Sequence, residues 1–110
     1  MALAAMPYAR SGYNVVIDFS IPPWYLETIK KILFVRSIPV HYVVIRPSMD
    51  ICASRAANRS EGAIPDYAMY KELYQCFDEA QRYIIFADSS DAATIASYIM
   101  EGLNSGDFLV

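Results

Sequence analysis

The stretch on which the fold turns reads VVIRPSMDICASRAANR, from Val43 to Arg59. Its start belongs to a run, Val40 to Ile45, that is nearly continuous in Val, Ile and Tyr. Unbroken apolar character, rather than alternation, predicts a strand covered on both faces, as in a parallel sheet between helices. Ser48 then stands where a helix N-cap is wanted, and Asp50 falls in the first turn, where a carboxylate suits the helix dipole. A strand that runs straight into a capped helix is the opening of a β–α unit.

Working outward, two more runs share the strand character: Val15 to Asp18 and Tyr83 to Phe86. The segments between read as helices. Pro22-Pro23 opens one, since proline is tolerated in a first turn, and Leu26, Ile29, Ile32 and Leu33 follow at helical spacing. Pro65-Asp66 opens another, with Met69, Leu73, Cys76, Phe77 and Ala80 forming an apolar stripe. Ser89, Ser90 or Asp91 caps the last, whose core face is Ile95, Tyr98, Ile99 and Leu103, with Gly102 near its end. At the front, Tyr8 to Ser11 reads as a helical stub stopped by Gly12. Strands alternating with helices imply right-handed crossovers. The expectation is an α/β domain: a three-layer parallel sheet with helices on both faces, one domain over 1–110. Arg59 to Pro65, polar and holding Gly62, is the candidate mobile loop.

The totals narrow the function classes. Of 110 residues, 55% are apolar and 19% charged, which is too apolar for disorder. No apolar run reaches the ~20 residues of a membrane span, and the N-terminus lacks the charged start and cleavage site of a secretory leader. Nine basic residues against twelve acidic give a net charge of −3, with no basic stripe for nucleic acid. Cys52 and Cys76 sit in separate helical patterns without a CxxC or a Cys/His cluster, so two buried thiols in a reducing, cytoplasmic compartment are expected and no metal site.

Three pieces of the chain resemble P-loop small-molecule kinases of the gluconate-kinase, chloramphenicol-phosphotransferase and AAA-type ATP-binding group. GYNVVID (Gly12 to Asp18) is similar to that family's short run ending in an acidic residue on its third strand. VVIRPSMDICASRAANR (Val43 to Arg59) is similar to its strand, capped helix and R-x-x-x-R lid, and a lid-like segment spans about 48–66. YIIFADSSDAATIASYIMEGL (Tyr83 to Leu103) is similar to its last strand, Asp-Ser turn and closing helix. The family's phosphate-binding loop, G-x-x-x-x-G-K-[ST], is absent: none of the four glycines, at 12, 62, 102 and 106, precedes a lysine. The resemblance therefore implies the C-terminal part of such a domain, missing its first strands. In that fold the missing first strand lies between the strands at Val15 and Val40, and its loss leaves two apolar strand edges open for pairing.

The resemblance implies roles residue by residue. Asp18 would face the substrate hydroxyl; its plain alternative is a cap on the turn that follows. Arg55 and Arg59, at i and i+4, would share a helix face and close over the nucleotide; the alternative is a solvated face. Arg46 would touch phosphate or else pair with Asp50. Ser89 and Ser90 would lie against the nucleotide base, with a helix cap as the simpler reading. ATP and Mg²⁺ come with the family. His41, without a nucleophile partner, reads as structural, and Tyr67, Tyr70 and Tyr74 read as packing rather than base stacking.

Two readings follow. One is the C-terminal portion of an ATP-dependent phosphotransferase acting on a small hydroxylated molecule, inactive alone and needing a loop-bearing partner segment. The other is a non-catalytic remnant that pairs with a protein partner or with itself. A fragment, a split half and a remnant remain open, as do the phosphate acceptor, the base preference and the oligomeric state.

Overall fold

A computed structural model of the chain describes residues 1–34 and 37–110, with backbone only at Phe34. Helix α1 (Ala2–Arg10) is followed by an irregular segment, then by α2 (Trp24–Phe34). Strand β1 (Val44–Arg46) leads into α3 (Met49–Ala57). A helical stretch follows in three pieces: a 3-10 turn (Ala68–Tyr70), the short α4 (Lys71–Cys76) and a second 3-10 run (Phe77–Tyr83). Strand β2 (Ile84–Phe86) and α5 (Ala92–Ser105) complete the order.

The expected three-layer parallel sheet is not what forms. Among the described residues the sheet has two strands, β1 and β2, each three residues long. They are parallel, with Val44 opposite Ile84, Ile45 opposite Ile85 and Arg46 opposite Phe86. Parallel strands need a long crossover, and the segment from Pro47 to Tyr83 supplies it. Val15 to Asp18 is no strand: Tyr13 to Asp18 carries neither helix, turn nor ladder. The physical reason is pairing. A β-rich run becomes a strand only when a neighbour takes its backbone N–H and C=O groups, and among the described residues none does so from Asn14 to Ser20.

The run from Val40 to Ile45 divides between two partners. Its second half is β1. Its first half pairs antiparallel with the C-terminal tail: Tyr42 N–H donates to Phe108 O at 2.9 Å, and Val110 N–H donates to Val40 O at 3.0 Å. His41 faces Leu109 across this bridge and is exposed. Gly106, at φ +81°, turns the chain back after α5 so that the tail reaches β1, a left-handed position suited to glycine. Arg82 holds the same corner, donating to Asp107 O at 3.1 Å and to Gly106 O at 3.5 Å, a cation at a helix C-terminus.

The core is small. Leu26, Tyr42, Val44 and Ala80 are buried together, with Ile21, Phe77, Tyr83, Ile84 and Val110 packed around them. Leu26 and Leu33, from the apolar stripe of α2, are both buried. The stripe expected from Met69 to Ala80 fails at its start, where Met69 is 76% exposed. The 3-10 turns flanking α4 advance at 3.0 residues per turn, and Ala80 leaves helical geometry at φ −105°, ψ 29°. Spacing reckoned at 3.6 therefore loses its register.

Two measures show a loosely closed chain. Its radius of gyration is 15.5 Å, where about 13 Å is usual for this length. Its accessible surface is 7932 Å², where a compact monomer of this mass exposes about 6,100 Å².

Two outcomes test this arrangement. A Cβ at Gly102 would sit 2.2 Å from the Phe108 ring, so Gly102→Ala displaces the tail and lowers stability by about 1–3 kcal/mol in urea unfolding. Burial pushes the Tyr42 hydroxyl up to about 12, with Cys76 adding to the shift. A raised tyrosine favours the folded state until the unfolded chain ionises first. Stability is thus intact below about pH 10 and falls as pH rises from there toward 12, and Tyr42→Phe flattens that alkaline limb in a pH series of urea midpoints.

Candidate functional site

In open α/β sheets, ligands gather at the carboxyl ends of the strands. Here both strands deliver polar groups to that end. Arg46 closes β1 and Asp88 follows β2; the helices α3 and α5 begin just beyond. The Asp88 carboxylate accepts a hydrogen bond from Ser48 N–H, ahead of α3. Ser48 stands at the cap position without using its hydroxyl. Asp88 serves there instead, across the sheet, as an anion at a helix N-terminus. Asp91 caps α5, accepting from Thr94 N–H at 2.7 Å, and that bond holds its carboxyl below the usual carboxylate range. Of the three candidates for this cap, Asp91 takes it. Ser89 is exposed and Ser90 half-buried, so neither seryl side chain is consumed by the cap.

Arg46 is the one charged residue buried among those described, 8% exposed. Its Nη2 lies 2.7 Å from Asp78 Oδ1 and donates to Tyr74 O at 3.2 Å. Its guanidinium lies over the Tyr74 ring, 4.1 Å from the centroid. Tyr74 in turn donates its hydroxyl proton to Pro47 O at 2.9 Å. The ion-pair partner is thus Asp78, not Asp50. Charge neutralisation by Asp78 and stacking on Tyr74 commit this side chain to joining β1 to the crossover. Its Nε is buried without a partner among the described residues.

Arg55 lies in the last turn of α3 and is exposed. Arg59 does not share its helix: α3 ends at Ala57, and Arg59 lies past the capping Asn58. Neither guanidinium makes an ion pair or hydrogen bond among the described residues. The loop behind them folds back on α3. Ile64 N–H donates to Ala56 O at 2.9 Å, and the Tyr67 side chain meets Cys52, whose thiol also points to Pro47 O at 3.7 Å. Burial pushes the Cys52 thiol up, opposed in part by Arg55. Burial also raises the Tyr67 hydroxyl, with Arg59 opposing. The Tyr67 and Tyr70 rings pack at 5.0 Å, and both cysteines are free and half-buried.

Asp18 is exposed on the irregular segment before α2. Beside it lies an apolar hollow of about 350 Å³ walled by Ile17, Phe19, Tyr25 and Ile29. A second, shallower hollow of about 370 Å³ lies between β2 and α5. Neither is lined by Asp18, Arg55 or Arg59, and no hydrogen bond or ion pair joins Asp18 to either arginine. No group of three or more His, Cys, Asp or Glu able to hold a metal occurs among the described residues. No helix described is long and apolar enough to cross a membrane.

Sequence reasoning missed Asp78 altogether, read Tyr74 only as packing, and placed Asp88 in the turn after the last strand without its bond to Ser48. Each acts across the fold on a residue far along the chain, and no local spacing announces such a pair. In comparisons with family models, curated proteins and solved structures, nothing matches this chain.

Because Asp78 is the one carboxylate among the described residues that pairs with the buried guanidinium, Asp78→Asn lowers stability by about 1–3 kcal/mol in urea unfolding. Asp50→Asn, removing an exposed carboxylate outside this pair, is expected to fall within about 0.5 kcal/mol of the parent.

Proposed function

We propose that the chain is the C-terminal portion of an ATP-dependent small-molecule phosphotransferase, working only with a segment outside these 110 residues that brings a phosphate-binding loop. The observation that carries this reading is the state of Arg55 and Arg59. Two exposed guanidinium groups make no ion pair with a carboxylate among the described residues, in a chain of net charge −3. Guanidinium holds its charge at any working pH and presents forked donors that match phosphate oxygens. The parallel strand–helix order supports the reading too, since it gathers β1, β2 and the starts of α3 and α5 at one sheet end.

The residues fit part of the implied ligand. Arg55 and Arg59 suit a polyphosphate, and Ser89 and Ser90 offer hydroxyls beside the start of α5. Arg46 is withdrawn by Asp78 and Tyr74. Among the described residues no group of three or more His, Cys, Asp or Glu gathers to hold a metal, so no residue is assigned to magnesium. ATP would supply the phosphoryl group. The arginines would bind and orient its phosphates, and Asp18 would orient the acceptor hydroxyl or take its proton. Bringing Asp18 and the arginines to one place is then the task of the added segment.

A second reading has its own observation. The chain exposes more surface than its mass requires, which suits a non-catalytic module that closes on a partner or on itself.

Titration of the purified chain with ATP tests the first reading. ATP binds, and Arg55→Ala combined with Arg59→Ala weakens binding about tenfold, the loss of charge-assisted phosphate contacts. Unchanged binding in the double variant sinks the role given to these arginines.

A further inference from the structure

We propose that Tyr13 to Phe19 is a self-pairing strand through which two copies of this chain join, antiparallel, about a two-fold axis at Val16. The inference deepens the second reading above and is independent of nucleotide binding by Arg55 and Arg59.

Unsatisfied backbone is the first argument. From Asn14 to Ser20 no backbone group makes a hydrogen bond among the described residues. Seven consecutive residues thus present free N–H and C=O groups, and every one of their side chains is exposed. The run is rich in β-branched and aromatic residues and free of Pro and Gly, the composition that pairs readily once an edge is offered.

Side-chain order is the second. Exposure alternates at its centre, where Val15 is 41% exposed, Val16 89% and Ile17 36%, while Tyr13 and Phe19 at the two ends are open at 67% and 66%. A period of two sets Asn14, Val16 and Asp18 on the outer face and Tyr13, Val15, Ile17 and Phe19 on the other.

Charge selects the partner and the direction. In an antiparallel pair centred on Val16, each Asn14 faces Asp18 of the other copy, so an amide donor meets a carboxylate twice. Val15 faces Ile17, and Tyr13 faces Phe19, both favourable cross-strand pairs. An in-register parallel pair would set Asp18 against Asp18, which is unfavourable. The sequence of this segment is therefore complementary to its own reverse. A two-fold contact of that kind uses the same edge on both copies and closes at two.

Area is the third. The chain exposes 7932 Å², about 1,800 Å² above a compact monomer of its mass. A standard interface needs about 800 Å² per partner. Neither β1 nor β2 offers a comparable edge, since each spans three residues.

Sedimentation of the whole chain over a concentration series tests the proposal at Asn14, an exposed position outside the core. The parent sediments as a dimer. Asn14→Asp sets carboxylate against carboxylate at both ends and weakens the dimer about tenfold, while Asn14→Lys strengthens it by a similar factor. Val16→Cys, in a Cys52→Ser, Cys76→Ser background, forms a disulfide-linked dimer on oxidation, because paired Cα atoms on the axis fall within bridging distance. A chain monomeric at every soluble concentration overturns the proposal. So does a dimer indifferent to all three changes, which places the contact elsewhere, or open-ended aggregates in place of a dimer. ATP titration of the Asn14→Asp variant separates the readings: arginine-dependent binding that survives loss of the dimer leaves the phosphotransferase reading standing.

Discussion

The buried guanidinium of Arg46 is the constraint from which the rest of this structure follows. A cation withdrawn from water needs a counter-charge and hydrogen-bond acceptors, or it destabilises the fold. Asp78 supplies the first, the Tyr74 carbonyl the second, and the Tyr74 ring covers the face. All these partners lie in the crossover between the strands. Satisfying Arg46 therefore fixes where the crossover passes relative to the end of β1. That placement brings Ile84 to Phe86 alongside Val44 to Arg46 in parallel register.

Two strands of three residues do not hold a fold by themselves. The tail strengthens this one. Phe108 and Val110 pair with Tyr42 and Val40, so the run at Val40 to Arg46 is tied twice, antiparallel at its start and parallel at its end. Gly106 permits the reversal, Gly102 leaves room for the Phe108 ring, and Arg82 anchors the corner. The core that results gathers around Tyr42 and Val44 and reaches the N-terminal third mainly through Leu26 and Ile21. The Tyr42 hydroxyl, donating to Ile21 O, is a polar link between those parts.

The N-terminal third is correspondingly open. Tyr13, Val16, Phe19 and Trp24 face solvent, and the backbone between Asn14 and Ser20 is unpaired. A contiguous apolar, strand-forming surface of this kind marks a site of interaction. The two proposals place that partner differently. The phosphotransferase reading assigns it to a loop-bearing segment, and the self-pairing reading assigns it to a second copy. The first rests on the free guanidinium groups of Arg55 and Arg59, the second on backbone polar groups from Asn14 to Ser20 that make no hydrogen bond among the described residues.

The residues alone determined what depends on near neighbours. Pro22-Pro23 and the spacing of Leu26 and Leu33 announced α2; Ser48 and Asp50 announced where α3 begins; Asp91 was among the caps named for α5. The strand character of Val40 to Ile45 and of Tyr83 to Phe86 was legible too, because an unbroken apolar run carries its own signal, although only Val44–Arg46 and Ile84–Phe86 form the parallel pair. Tertiary structure decided everything that needed a partner distant in the chain. It left Val15 to Asp18 unpaired, where composition pointed to a strand, because a ladder depends on a neighbour that no local pattern records. It gave Arg46 to Asp78 rather than Asp50, put Arg59 beyond the end of α3, and drew Leu109 back to His41. Periodicity reports which face a residue takes within its own element; only three-dimensional closure reports what that face meets.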